Sequence, residues 1–236
     1  MTFTAYQPQL AATDWRVYRI VPSIFPPVSL FDRISHPADL EALFAVEALT
    51  NDRLREEVGD ISLVPVEDRV TGPGSTPFMA SFTHLSPQGG RFNTPDFGAY
   101  YASPEIETAI AETRYHREEF LSFTNEGPVD VDMRVYLARV MGDLHDARTD
   151  APLEIYDPDN HSHGQALATV LRHSGSNGLI YASVRAPGGN CVAVFRPRLL
   201  SECRQERHLT YRWDGHRVTQ IYEKRDFSPN GRAPET

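Results

Sequence analysis

The chain has 236 residues, 40% of them hydrophobic, and a formal net charge of −9. That length and composition fit one large domain with a real core. An acid excess of this size argues against direct nucleic-acid binding, which works through clustered Lys and Arg. No stretch approaches the roughly 18 apolar residues that span a bilayer, and the N-terminus lacks the basic-then-apolar pattern of a signal peptide. The expectation is therefore a soluble cytoplasmic protein that touches no membrane.

In chain order, residues 1–14 read as a polar, loosely packed extension. "WRVYRI" (Trp15 to Ile20) has the β-branched and aromatic content of a strand. "FPPVSLFD" is a proline-stiffened connection. A helix is predicted over 37–58, with Leu40, Leu43 and Phe44 on one face and Ser35 or His36 as its cap. "ISLVPV" (Ile61 to Val66) reads as a short strand. Residues 71–90 read as a long Gly/Pro/Ser-rich loop, a length that suggests function. Its Gly72 and Gly74 belong to neither a dinucleotide fingerprint nor a Walker A loop.

"AYYAS" is a predicted strand ending at Ser103, which with Pro104 gives a helix start. That helix is expected to run to Phe120, with Ile106, Ala109 and Ile110 facing the core. "VDVDMRVYL" alternates, with Val129, Val131, Met133, Val135 and Leu137 on one face of a strand. "HGQALATVLRHSG" reads as a helix stopped by Gly175, and "GLIYASV" and "CVAVFRP" as core strands. "HLTYRWDGHRVTQIY" reads as a hairpin turning at Asp214-Gly215. The segment 227–236 reads as a flexible tail. With no repeat and no obvious linker, the pattern gives one α+β domain.

Among chemically suggestive residues, Arg91 follows Gly89-Gly90, which permit close backbone approach. It suits a phosphate or carboxylate held by two parallel hydrogen bonds, or is a surface Arg beside a turn. Tyr100 and Tyr101 must point to opposite strand faces, so one fills the core and the other faces a cleft or solvent. Glu112 falls near the edge of its helix's buried face, where a solvated glutamate is the plain alternative. Cys191 and Cys203 have no metal or disulfide spacing and read as free thiols. "HSH" at His161 to His163 is too incomplete for a metal site, and none is expected. Ser183 lacks a nucleophile-elbow motif.

Taken together, the pieces resemble the RES family of bacterial toxins. These pieces are "YRI" with Arg19, "GGRFN" with Arg91 and Asn93, "YYAS" with Tyr101, "TAIAE" with Glu112, and "YASVRAPGGN" with Ser183 and Asn190. Phe92 stands where the family commonly has Trp. The resemblance implies a domain over 15–226, with a helical insertion near 37–80 longer than in compact members. It implies an ADP-ribosyltransferase-like fold, with mixed or antiparallel sheets and flanking helices, and NAD as substrate. Arg91, with Arg19, would grip the phosphates, and Tyr101 would orient the nicotinamide-ribose end. Glu112 would stabilise the sugar cation as nicotinamide leaves, and Ser183 would fix a ribose hydroxyl or the nicotinamide amide. Asn93 and Asn190 would join the binding set. Phosphate or water could accept the ADP-ribosyl group, as could a target protein in mono-ADP-ribosylation. The different-class alternative is a non-catalytic nucleotide-binding protein. The resemblance also implies an antitoxin partner that carries its own DNA-binding domain.

Overall fold

A run of alternating β-branched and aromatic residues in QLAATDWRVYRIVP forms β1 (Gln9–Pro22) in the computed structural model, which describes residues 6–23, 32 and 59–225. The strand begins earlier than the expected Trp15. Its polar start is held because Gln9 to Pro22 pair antiparallel, residue for residue, with β3 (Val129–Asp146), and Thr13 is buried in that pairing.

On its other edge β3 pairs antiparallel with β6 (Leu200–Trp213), which continues through a hairpin into β7 (Val218–Lys224). The end of β3 pairs in parallel with β4 (Gly178–Ala182). β5 (Asn190–Val194) returns antiparallel to β4, and β2 (Tyr100–Ala102) pairs antiparallel with β5. The result is a seven-stranded mixed sheet in the order β2-β5-β4-β3-β6-β7, with β1 also on β3. A bridge between Tyr18 and Ser103 ties β1 back to the end of β2, so five strands curl round on themselves. With three α-helices among the described residues, the class is α+β in one domain.

The alternation of β3 holds for Met133, Val135 and Leu137, which are buried, but Val129 is exposed. Tyr136, Ala138 and Val140 are buried as well, because mid-strand β3 is covered on both faces. Register shifts against β6 occur there, with Glu202 at φ 51 in the bulge. The hairpin turn forms as expected: Asp214 Oδ1 accepts the His216 and Arg217 amides, and Gly215 sits at φ 102.

Three expectations need correction. "ISLVPV" forms two 3-10 turns, Ile61–Leu63 and Val66–Asp68, instead of a strand. Asp60 captures the Ser62 amide at 2.9 Å, and Pro65 has no N–H to give a ladder. The 71–90 segment contains a helix, α1 (Thr76–Thr83), with Pro77 in its first turn. Its Phe78, Met79 and Phe82 are buried on the Tyr100 side of the sheet, and Asp32 Oδ1 accepts the Thr76 amide at 3.0 Å. Ser103 does not cap the next helix, α2 (Ile106–Ser122), because its backbone is bonded to Tyr18. Glu105 occupies the cap position, and the Ser103 hydroxyl accepts the Glu105 amide and donates to Asn190 O.

Helix α3 (Ser162–His173) ends before Gly175 at φ 85, as expected. It packs on the Tyr101 side of the sheet, with Leu167, Ala168 and Leu171 against Phe92, Leu179 and Ala193. Helix α2 lays Ala109 and Leu121, with Ile106 and Ile110, against Val135, Tyr211 and Trp213. Cys191 and Cys203 are free and buried. The predicted 37–58 helix, most of the "FPPVSLFD" connection and the 227–236 tail lie outside the described residues. No helix among the described residues is long and apolar enough to cross a membrane.

Candidate active site

The Gly89-Gly90 pair builds a tight turn. The Gly90 amide bonds Asn93 O at 2.9 Å. A Cβ on Gly90 would meet Asn93 Oδ1 at 2.7 Å and the Tyr101 hydroxyl at 2.8 Å. The glycines thus admit the protein's own Asn93 and Tyr101. Asn93 is buried, and its Nδ2 donates to Thr94 O and Phe97 O. Its Oδ1 accepts the Tyr101 hydroxyl at 2.8 Å, and that hydroxyl in turn accepts the Phe92 amide at 2.8 Å. Both side chains are therefore satisfied internally. Asn93 fixes the loop, and Tyr101 offers a ligand its ring rather than its hydroxyl. Burial, chiefly, keeps the Tyr101 phenol well above its usual range.

This turn aims Arg91 at the segment before α3. One guanidinium nitrogen, Nη1, donates to Asp157 O at 2.6 Å and Ile155 O at 3.2 Å. The other N–H groups make no hydrogen bond among the described residues, so part of the fork remains for an anion. The first turn of α3 locks the Arg91 backbone. A Cβ on Gly164 would lie 2.3 Å from Arg91 O, and Gln165 Nε2 donates to Gly90 O and Gln88 O, both at 3.0 Å. Gly164 and Gln165 were visible only as part of a helix.

Across the same floor, the Ser183 hydroxyl donates to Glu112 Oε1 at 2.6 Å. Its oxygen accepts the Arg185 amide at 3.1 Å and the Ala186 amide at 2.8 Å. Ser183 is thereby saturated: one proton given, two lone pairs filled. It aims the half-buried carboxylate and leaves no free lone pair for nucleophilic attack. Glu112 Oε2 accepts no hydrogen bond among the described residues. Burial, then Cys191 and Glu112, push the Tyr181 phenol well up, while Arg91 pulls it down. One ring therefore feels both charges. Burial and then Glu112 push the Cys191 thiol to about 12, so it stays protonated beneath the site.

Two predicted residues sit apart. Arg19 lies on the Tyr100 side of the sheet, its guanidinium 5.1 Å from that ring's centroid and its Nη1 on Tyr101 O at 3.0 Å. Its Nε is buried without a hydrogen-bond partner among the described residues. It braces β2 from behind rather than joining Arg91. Asn190 is held by Glu105, whose Oε2 accepts its amide at 3.1 Å and whose Oε1 accepts its Nδ2 at 3.2 Å. Arg148 Nη1 donates to Asn190 Oδ1 at 2.9 Å. Glu105 thereby secures the start of β5.

The surroundings are cationic. Burial first, then Arg91, His116 and Arg185, hold the His161 imidazole below its ordinary value, against Glu119. Burial also lowers His116, with Glu112 and Glu119 opposing and Arg185 assisting. No group of His, Cys, Asp and Glu among the described residues could hold a metal ion. A depression lined by Leu63, Asp68, Phe82, Arg172 and Phe195 includes neither Glu112 nor Arg91 in its lining.

Comparison with known proteins adds three findings. A family model described as the RES domain matches residues 67–214. The chain is 31% identical over 205 residues to a Sinorhizobium fredii protein named "Uncharacterized protein y4oC", covering 87% of this chain and 86% of the relative. Among solved structures, the M. tuberculosis MbcT-MbcA toxin-antitoxin complex aligns with a TM-score of 0.46 at 13% identity, over 85% of this chain and 86% of that one.

Proposed function

This chain belongs to the RES-domain family, and from that premise we propose that it is the toxin of a toxin–antitoxin pair that cleaves NAD in the cytoplasm. The bond broken is the one between nicotinamide and ribose. Its electron pair leaves with the nicotinamide, and the ribose carbon becomes cationic and oxocarbenium-like. A phosphate or water oxygen then bonds to that carbon and gives up its proton where one is released. The partner is an antitoxin that carries its own DNA-binding domain, a division of labour that suits an acidic toxin.

The observation that carries this reading is the Glu112–Ser183 pair, at 2.6 Å. A carboxylate oriented by one oxygen, with the other unengaged, suits a developing sugar cation. Such fixed charges act without reorganising at the moment of reaction. A protein that merely bound an anionic dinucleotide would gain nothing from an anion there. Arg91, with part of its fork uncommitted, suits a phosphate. The Tyr101 ring, held by its own hydroxyl, suits the flat nicotinamide end. Asn93, Asn190 and Arg19 act as positioning residues.

The test is free nicotinamide released from NAD by the purified protein, with and without phosphate, and then with labelled NAD and a cell lysate. The expected result is release, with an ADP-ribosyl phosphate formed when phosphate is present and ADP-ribose when it is not. Label fixed on lysate protein would move the acceptor to a protein side chain. A folded protein that releases no nicotinamide under any of these conditions overturns the proposal.

A further inference from the structure

Arg185 stands two positions after Ser183, where the β4–β5 connection leaves the sheet, and its guanidinium has an unusual seat. It lies 3.3 Å from the centroid of the Tyr115 ring on α2. Its Nη2 donates to Pro158 O at 3.0 Å. The carbonyl one residue earlier, on Asp157, is the one Arg91 Nη1 takes at 2.6 Å. Two guanidinium groups therefore grip consecutive carbonyls of one short segment, Arg91 from the GGRFN turn and Arg185 from the β4–β5 connection. Neither has a carboxylate within ion-pair distance among the described residues. Both charges are felt at His161, and that of Arg185 also at His116, the neighbour of Glu112 one helical turn on.

A half-buried arginine without a counter-ion is costly: among the described residues Arg185 has a ring face and one carbonyl, and Arg91 two carbonyls. Two such uncompensated charges beside one carboxylate make a site that lacks negative charge. A single phosphate would satisfy one of them, and a diphosphate supplies two groups in tandem. We propose that Arg185 is a second phosphate-binding residue, which takes one phosphate of a diphosphate-linked ligand while Arg91 takes the other. This rests on the NAD-cleaving reading and deepens it, because the pair selects dinucleotides over mononucleotides. When the ligand arrives, Arg185 exchanges its contacts with Tyr115 and Pro158 for phosphate oxygens. That exchange also frees the Tyr115 ring face beside the site.

The experiment measures the affinity of ADP-ribose, which has two phosphates, and of adenosine monophosphate, which has one. Titration calorimetry is run on the wild-type chain and on Arg185→Ala, Arg185→Lys and Arg114→Ala. Arg114 lies on α2 next to Tyr115 but pairs with Glu118 at 3.0 Å on the surface, so its loss controls for net charge alone. Arg185→Ala should weaken ADP-ribose about ten- to a hundredfold, the range of a lost charge-assisted hydrogen bond. The monophosphate should weaken far less, so the gap between the two ligands narrows. Arg185→Lys should fall between wild type and alanine, and Arg114→Ala should match wild type.

Unchanged ADP-ribose affinity in Arg185→Ala overturns the inference. So does an equal loss for both ligands, the mark of a strap that only holds the segment in place. If Arg185→Ala does not fold, Arg185→Lys decides, since a lysine keeps the charge but not the planar fork: a narrowed gap supports the inference and an unchanged one ends it. A folded wild-type chain that binds neither ligand overturns the NAD reading itself, and the inference falls with it.

Discussion

At the scale of single residues, the question is whether Ser183 acts on the substrate or through Glu112. Its hydroxyl gives its proton to Glu112 Oε1 and accepts two backbone amides, so it has nothing left for a ligand. That predicts strong coupling in a double-mutant cycle on nicotinamide release. Glu112→Gln should cost on the order of 10²–10³ in kcat, as for other single electrostatic stabilisers. Ser183→Ala should cost roughly tenfold, since a mis-aimed carboxylate keeps its charge. The double variant should be no slower than Glu112→Gln alone, because residues acting as a unit are non-additive. Multiplying losses would mean that Ser183 touches the substrate independently. Arg91, Tyr101, Glu112 and Ser183 were all legible in the sequence as a set, because short motifs carry residue type and order. What was hidden was direction. Nothing in "YRI" or "GGRFN" says that Arg19 lies on the far face or that Asn93 bonds inward. Those follow from pairings between segments distant in sequence, such as Arg19 with Tyr101.

At the scale of elements, the site depends on how α3 meets the GGRFN turn. Gly164 sits in the first turn of α3, and a Cβ there would stand 2.3 Å from Arg91 O, a backbone atom that cannot swing aside. Gly164→Ala must push the helix off the turn or displace Arg91. Overpacking of this kind costs about 1–3 kcal/mol, which for a domain of this size lowers Tm by roughly 2–4 °C per kcal/mol. A helix-favouring alanine recovers at most about 1 kcal/mol of that. The expected outcome is a lower Tm together with a raised KM for NAD, while kcat falls less. A variant as stable as wild type with an unchanged KM would show that the contact is slack. The sequence announced α2, α3 and β3 through apolar periodicity. It concealed α1, whose Gly and Pro neighbours look like loop and whose apolar residues Phe78, Met79 and Phe82 make sense only against the sheet they cover. It also concealed the true length of β1, whose polar start is made a strand by the β3 partner alongside it.

At the scale of the whole molecule, the proposal turns on what one turnover does to a cell. Bond cleavage consumes NAD, and no separate target need be found for the chain to arrest growth. The acid excess of −9 fits the proposed division of labour, in which the partner carries the DNA-binding part. Induced expression of the chain alone in a bacterium should therefore stop growth and lower cellular NAD in step. The same chain carrying Glu112→Gln, at matched soluble yield, should do neither, because that change removes one charge and leaves shape and hydrogen bonding nearly intact. Glu112 is half-buried and bonded to Ser183, so the variant's melt is measured beside its toxicity, and a silent variant that melts like wild type has not lost its fold. Arrest with NAD undiminished would detach toxicity from NAD cleavage and favour modification of a protein. Arrest by the Glu112→Gln chain, with NAD unchanged, would mean that the harm comes from binding alone and that the carboxylate is not the seat of the chemistry.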